Sequence, residues 1–286
     1  MDPVVSIVLP VWNGERYFRQ SIESCLNQSF PDLEVIVVDD GSVDSTPSLI
    51  EEYAHRDGRL RALSHTGNRG LSQALNTGFA SARGNYFTWT SADNYYRPAA
   101  IEALLEVLRA APDAQVVYSD YTVVDADGNM LECRSAGPVQ RLLLENCVGG
   151  CFLYCRTVQE TLGRYDDSFF LAEDYDFWLR ASARFRMTPV HQDLYCARDH
   201  KDSLSVRFAE RVGAVSDKCL EHNLQNLTWA SRPQKAAAQV ALARRAQSRG
   251  EWARSFRLAC SAVRLAPLGS LEFMLDSLHP RKRGSV

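Results

Sequence analysis

Several things this chain has little of narrow the field. Its eight cysteines include no C-x-x-C pair, so no zinc site is expected, and the thiols read as reduced and mostly buried in a cytosolic protein. No run approaches the ~20 apolar residues of a membrane span, which limits membrane association to a peripheral one. The apolar stretch Val4 to Trp12 is too short for a signal peptide and has an acidic flank at Asp2. Net charge is only -3, which gives no electrostatic reason to expect nucleic acid as a partner. The single basic cluster, Pro280-Arg-Lys-Arg-Gly284, reads as a solvated tail. The first apolar run opens into Pro10-Val-Trp-Asn-Gly14 instead of G-x-G-x-x-G, which argues against a dinucleotide-dependent oxidoreductase or a nucleotidyltransferase.

What remains has the make-up of an ordinary globular α/β chain. With 286 residues, 45% hydrophobic and 23% charged, it is long enough for one large domain with an appendage. The run Val35-Ile-Val-Val38 predicts a strand buried on both faces, as at the centre of a parallel sheet. Asp39 and Asp40 then fall at its carboxyl end, followed by Gly41 for the turn and Asp44 as N-cap of the next helix. Open α/β sheets bind ligands at that edge.

Strands are expected at Val4 to Leu9, Leu33 to Val38, Leu60 to Leu63 and Tyr86 to Thr90, alternating with helices near Phe18 to Leu26, Thr46 to His55 and Gly70 to Ala82. Right-handed crossovers then bring Asp40 and Asp93 to one edge. Pro98 opens a scaffold helix carrying Ile101, Leu104, Leu105 and Leu108. Gln115 to Val124 and Met130 to Cys133 predict a hairpin turning at Asp125 to Asn129, so the sheet order changes in the second half. A strand at Cys151 to Tyr154 is entered through Gly149 and Gly150. Glu173, Asp174 and Asp176 open a further helix, where the macrodipole favours acids, and Trp178 and Arg180 read as its anchor and ionic partner. After Ser205 the composition turns helical. Lys235 to Arg249 and Trp252 to Leu265 form one tetratricopeptide-like hairpin that suits a protein partner or self-association. The expected division is 1–205 and 206–286.

Ser6-Ile-Val-Leu-Pro10-Val-Trp12-Asn13, Val37-Val-Asp39-Asp40-Gly-Ser42, Asn68-Arg-Gly70-Leu-Ser-Gln-Ala74-Leu-Asn76, Ser91-Ala-Asp93-Asn94 and Glu173-Asp174 occur in an order that resembles family 2 inverting glycosyltransferases with the GT-A fold. The resemblance covers about residues 3 to 205. It implies a Rossmann-like, mainly parallel sheet. It also implies a nucleotide-diphospho-sugar donor such as a UDP-sugar, a divalent Mn or Mg ion on the diphosphate, and a glycan, lipid-linked glycan or other hydroxyl acceptor. Pro10, Trp12, Asp39, Asp40 and Ala92 would then line the nucleotide, Trp12 offering a face to the base and Asp40 accepting from the uracil or a neighbouring part of the nucleoside. Arg69 fits either the diphosphate or a solvated surface. Asp93 and the late histidine His200 would hold the metal, although family members usually carry a second acid where this chain has Ser91 and Ala92. Asp174 is the expected general base, with Glu173 and Asp176 as competitors. A catalytically impaired module that only binds nucleotide-sugar is the alternative.

Overall fold

The computed structural model describes residues 2–266, so the basic cluster at 280–284 lies outside the described residues. Three βα units open the chain: β1 Val5–Val11, α1 Phe18–Leu26, β2 Leu33–Asp39, α2 Thr46–Arg56, β3 Leu60–Ser64 and α3 Leu71–Ser81. β4 Tyr86–Trp89, the short β5 Tyr95–Tyr96 and α4 Ala100–Ala110 follow. The second half adds β6 Ala114–Val124, β7 Met130–Arg134, a 3-10 turn Val139–Leu143, β8 Phe152–Cys155, α5 Arg156–Leu162, α6 Glu173–Ser182 and β9 Arg186–Arg198. Helices α7 Leu204–Arg207, α8 Ala209–Asn223, α9 Arg232–Ser248 and α10 Trp252–Leu265 complete it.

One sheet runs in the order β3-β2-β1-β4-β8-β6-β9-β5, with β7 pairing on β6. β3, β2, β1 and β4 are mutually parallel, as the alternation predicts. β8 then enters antiparallel to both β4 and β6, while β9 runs parallel to β6. Val35 to Val38 are wholly buried, each worth ~1.5–3 kcal/mol in burial. α3 lies close against the sheet because Gly78 has no Cβ; one there would sit 2.4 Å from a Val8 methyl.

Two local expectations need correction. Asp44 is not the N-cap of α2: Ser45 holds that position, and Asp44 receives the Thr46 N–H on Oδ1 and the Glu15 N–H on Oδ2 from one residue earlier. β9, thirteen residues long, is absent from the sequence reading, as is α5. β9 contains Pro189 and several charged residues, and its pairing with β6 shifts register repeatedly, so no clean alternation marks it. Apolar contacts also cross the division expected after Ser205, because Cys219, Leu220, Leu224 and Leu227 are buried in the same cluster as Tyr175, Phe177 and Trp178.

Candidate active site

The first group of candidate residues is built where β1 and β2 finish. Asp40 is 4% exposed, and its carboxylate accepts from the Arg69 N–H (2.9 Å), the Gly70 N–H (2.8 Å) and His65 Nδ1 (2.6 Å). An ionised carboxylate only accepts, so His65 Nδ1 carries hydrogen and Nε2 is left to Thr77 Oγ1 at 2.9 Å. The positions through which Asp40 was expected to meet a uracil are therefore largely filled by the 65–70 loop. Asp39 is less committed: Oδ1 accepts the Ser42 N–H, and Oδ2 has no hydrogen bond among the described residues. Gly41, at φ 75°, passes so close to Gly67 that a Cβ would meet its Cα at 2.5 Å. Asn13 and Ser42 bind the two loops through the Asn13 N–H to Ser42 Oγ and the Val43 N–H to Asn13 Oδ1. Trp12 stands beside them, 48% exposed.

Pro10 is buried within β1, in register with Val38, and contributes wall only. Ala92 approaches Gly14, 3.5 Å from where a Cβ would lie. Arg69 has an exposed side chain with no partner among the described residues; it lines a cavity of about 660 Å³ with Gln73, Asn76, Tyr165 and Arg180.

At the end of β4 the chain brings together two residues 107 apart in sequence: His200 Nε2 lies 3.0 Å from Asp93 Oδ2. Asp93 Oδ1 and His200 Nδ1 are both buried without a partner. Such orphaned atoms are costly unless something else meets them, and an oxygen-seeking cation on Asp93 would do so. Among the described residues no third His, Cys, Asp or Glu joins this pair.

Arg198, which sequence reasoning passed over, sets the geometry. Its backbone N–H donates to Asn94 Oδ1 (2.7 Å), while its guanidinium donates to the carbonyls of Asp93, Asp125 and Ala126 and to Gln20 Oε1. It also lies over the Tyr17 ring, which is 5.0 Å from the His200 ring. The only sequence signal for it is its place two residues before His200.

The second acid pair stands at the N-terminus of α6. Glu173 is 5% exposed and accepts the Leu171 N–H; burial, reinforced by the adjacent Asp174 charge, pushes its carboxyl up to about 7. Burial raises Asp174 also, against donors from the Tyr175 N–H (2.7 Å) and Asn146 Nδ2 (2.7 Å). Leu171 just before them holds φ 82°, a strained value for a non-glycine residue. Asp176 does not share this position: it is 2% exposed, paired with Arg180 at 2.7 Å and bonded by Asn223 at 2.9 Å, which makes it scaffold. Trp178 is fully buried, 4.6 Å from the Phe152 ring, as its anchoring role requires.

Gly150 lies close against the Tyr195 ring, where a Cβ would come within 2.7 Å, and Tyr195 shares a hydrogen bond with Thr90 at 2.7 Å, three residues before Asp93. An aspartate-histidine pair near the strand edge and an acid pair at a helix N-terminus, on a mostly parallel sheet of this order, are the arrangement of a GT-A fold.

Comparison with known proteins narrows the class. Residues 6–163 match glycosyl transferase family 2, and the chain belongs to that family. It is 33% identical over 205 residues to an uncharacterised glycosyltransferase of Rickettsia prowazekii, covering 67% of this chain and 62% of that protein. It is 27% identical over 208 residues to the chondroitin synthase of Escherichia coli, covering 72% of this chain and 30% of that one. The chain thus spans less than two thirds of the curated relatives it matches. Among solved structures, S. aureus TarS 1-349 in complex with UDP-GlcNAc superposes with a TM-score of 0.65 at 16% identity, over 97% of this chain and 92% of that one. The mannosyltransferase PcManGT from Pyrobaculum calidifontis, in complex with GDP-Man and Mn2+, gives 0.57 at 19% identity, over 96% and 84%. No helix among the described residues is long and apolar enough to cross a membrane.

Proposed function

We propose that this protein transfers a sugar from a nucleotide-diphospho-sugar, a UDP-sugar by preference, to an acceptor hydroxyl with inversion. The observation that carries it is the meeting of Asp93 with His200 at the strand edge, 3.0 Å apart, with Asp93 Oδ1 and His200 Nδ1 buried and unpartnered among the described residues. Trp12 and the open oxygen of Asp39 take the nucleoside. Asp93 and His200 would hold a Mn or Mg ion, which when bound supplies positive charge to the diphosphate leaving group.

Asp174 receives the acceptor proton as the new C–O bond forms and the bond from the sugar's anomeric carbon to the phosphate oxygen breaks. A single displacement of this kind inverts that carbon. Desolvation raises the basicity of Asp174, and Asn146 fixes its orientation. The second reading, a module that binds donor without turning it over, draws on Ser91 and Ala92 standing where relatives carry another acid.

With so little protein charge at Asp93, metal and nucleotide are expected to bind together. Calorimetric titration of Mn with and without UDP should show little metal retained by the nucleotide-free protein. Asp93→Ala should abolish metal-dependent donor binding, and His200→Ala should weaken it. Tight Mn binding without UDP, or donor binding indifferent to chelator, overturns the metal assignment. Donor bound but never consumed across UDP-, GDP- and TDP-sugars with a broad acceptor panel favours the binding module.

A further inference from the structure

α10 has two apolar faces. Leu258 and Ala262 are buried on the side packed against α9. Away from them, Trp252, Phe256 and Val263 recur at helical spacing and are 66%, 73% and 47% exposed, with exposed Ala259 between them. A helix apolar on both sides is normally enclosed, yet nothing among the described residues covers this second face.

The charge around it is mainly basic. Every charged residue from Arg232 to Ala266 is basic except Glu251, in a chain whose overall charge is -3. Asp217 and Glu221 of α8 pair with Arg245, Arg249, Arg254 and Arg257. Arg244 and Arg264 are exposed and enter no ion pair among the described residues. At 100° per residue, Arg257 and Arg264 fall side by side along one border of the Trp252-Phe256-Val263 face.

We propose that this face of α10 docks on a membrane surface bearing anionic headgroups, with Trp252, Phe256 and Val263 entering the headgroup boundary and Arg264, unpaired among the described residues, meeting the phosphates. An aromatic-aliphatic face bordered by arginines is the composition of a helix lying in the interface plane. A second copy fits less well, because a two-fold contact through this face would set its basic border against itself.

The test uses the full chain in co-sedimentation with vesicles of phosphatidylcholine alone and with about one third phosphatidylglycerol. Binding to the anionic vesicles should be at least about tenfold tighter and should weaken with salt. The Trp252→Ala/Phe256→Ala double variant should lose binding by about tenfold or more at unchanged thermal stability, and Arg264→Glu should weaken it severalfold. Absence of sedimentation, as when residues 267–286 cover the face, overturns the proposal. So does equal binding to both vesicles. Full binding by the double variant also overturns it, assigning the contact to the 280–284 cluster. A dimer in sedimentation velocity that the double variant dissolves gives the face to a second copy.

Discussion

The two pairs of adjacent acids in this cleft, Asp39-Asp40 and Glu173-Asp174, are held in opposite ways. Asp40 sits within thirty residues of every group that fixes it, and those groups are hydrogen-bond donors from one loop. Glu173 and Asp174 take hydrogen bonds from the adjacent Leu171 and Tyr175 N–H groups and from Asn146, and burial raises both. Donors stabilise a carboxylate as a fixed structural charge; desolvation keeps it basic and able to take a proton.

Removing the C-terminal helices should break the packing around α6. A chain ending at Arg207 lacks Asn223, which bonds Asp176, and the buried Leu220, Leu224 and Leu227, each worth ~1.5–3 kcal/mol. Against a typical margin of ~5–15 kcal/mol, that loss should abolish cooperative unfolding and turnover. A native thermal transition in this fragment would show instead that 1–205 folds by itself. Next in size, Asp174→Asn should lower turnover by roughly a hundredfold or more with donor affinity kept, as measured by initial rates and UDP titration. Unchanged turnover would move the base to Glu173.

Asp40→Ala should act oppositely, on structure and donor affinity together. It leaves two backbone N–H groups and His65 without their acceptor, at a cost of about 3 kcal/mol, so both the melting temperature and UDP affinity should fall. The smallest effect is a pH dependence. Glu173 is raised from 4.5 to about 7 in the folded protein, so the fold binds its proton more tightly than the unfolded chain. Its stabilisation is full below pH 4.5 and lost as pH rises through about 7, a change of at most ~3 kcal/mol. Glu173→Gln, which cannot ionise, should therefore melt above wild type at pH 8 and near it at pH 5. Parallel melting curves at both pH values would show that Glu173 is not desolvated.

By itself the sequence determined the first, parallel half of the sheet. Val35 to Val38, the alternation of strand and helix, and the Asp-rich strand ends are local patterns, and each βα unit closes by contacts between near neighbours in the chain. Asp93 and His200 were legible as separate motif residues, but their 3.0 Å approach depends on β9, a strand whose proline and charges hide it. Only the tertiary structure decided that Asp40 is committed to the 65–70 loop, that Asp176 is scaffold, and that Arg198 ties three segments behind the metal pair. The physical reason is that donor geometry and desolvation are set by what surrounds a side chain, and at this site the surroundings come from elements up to 178 residues away.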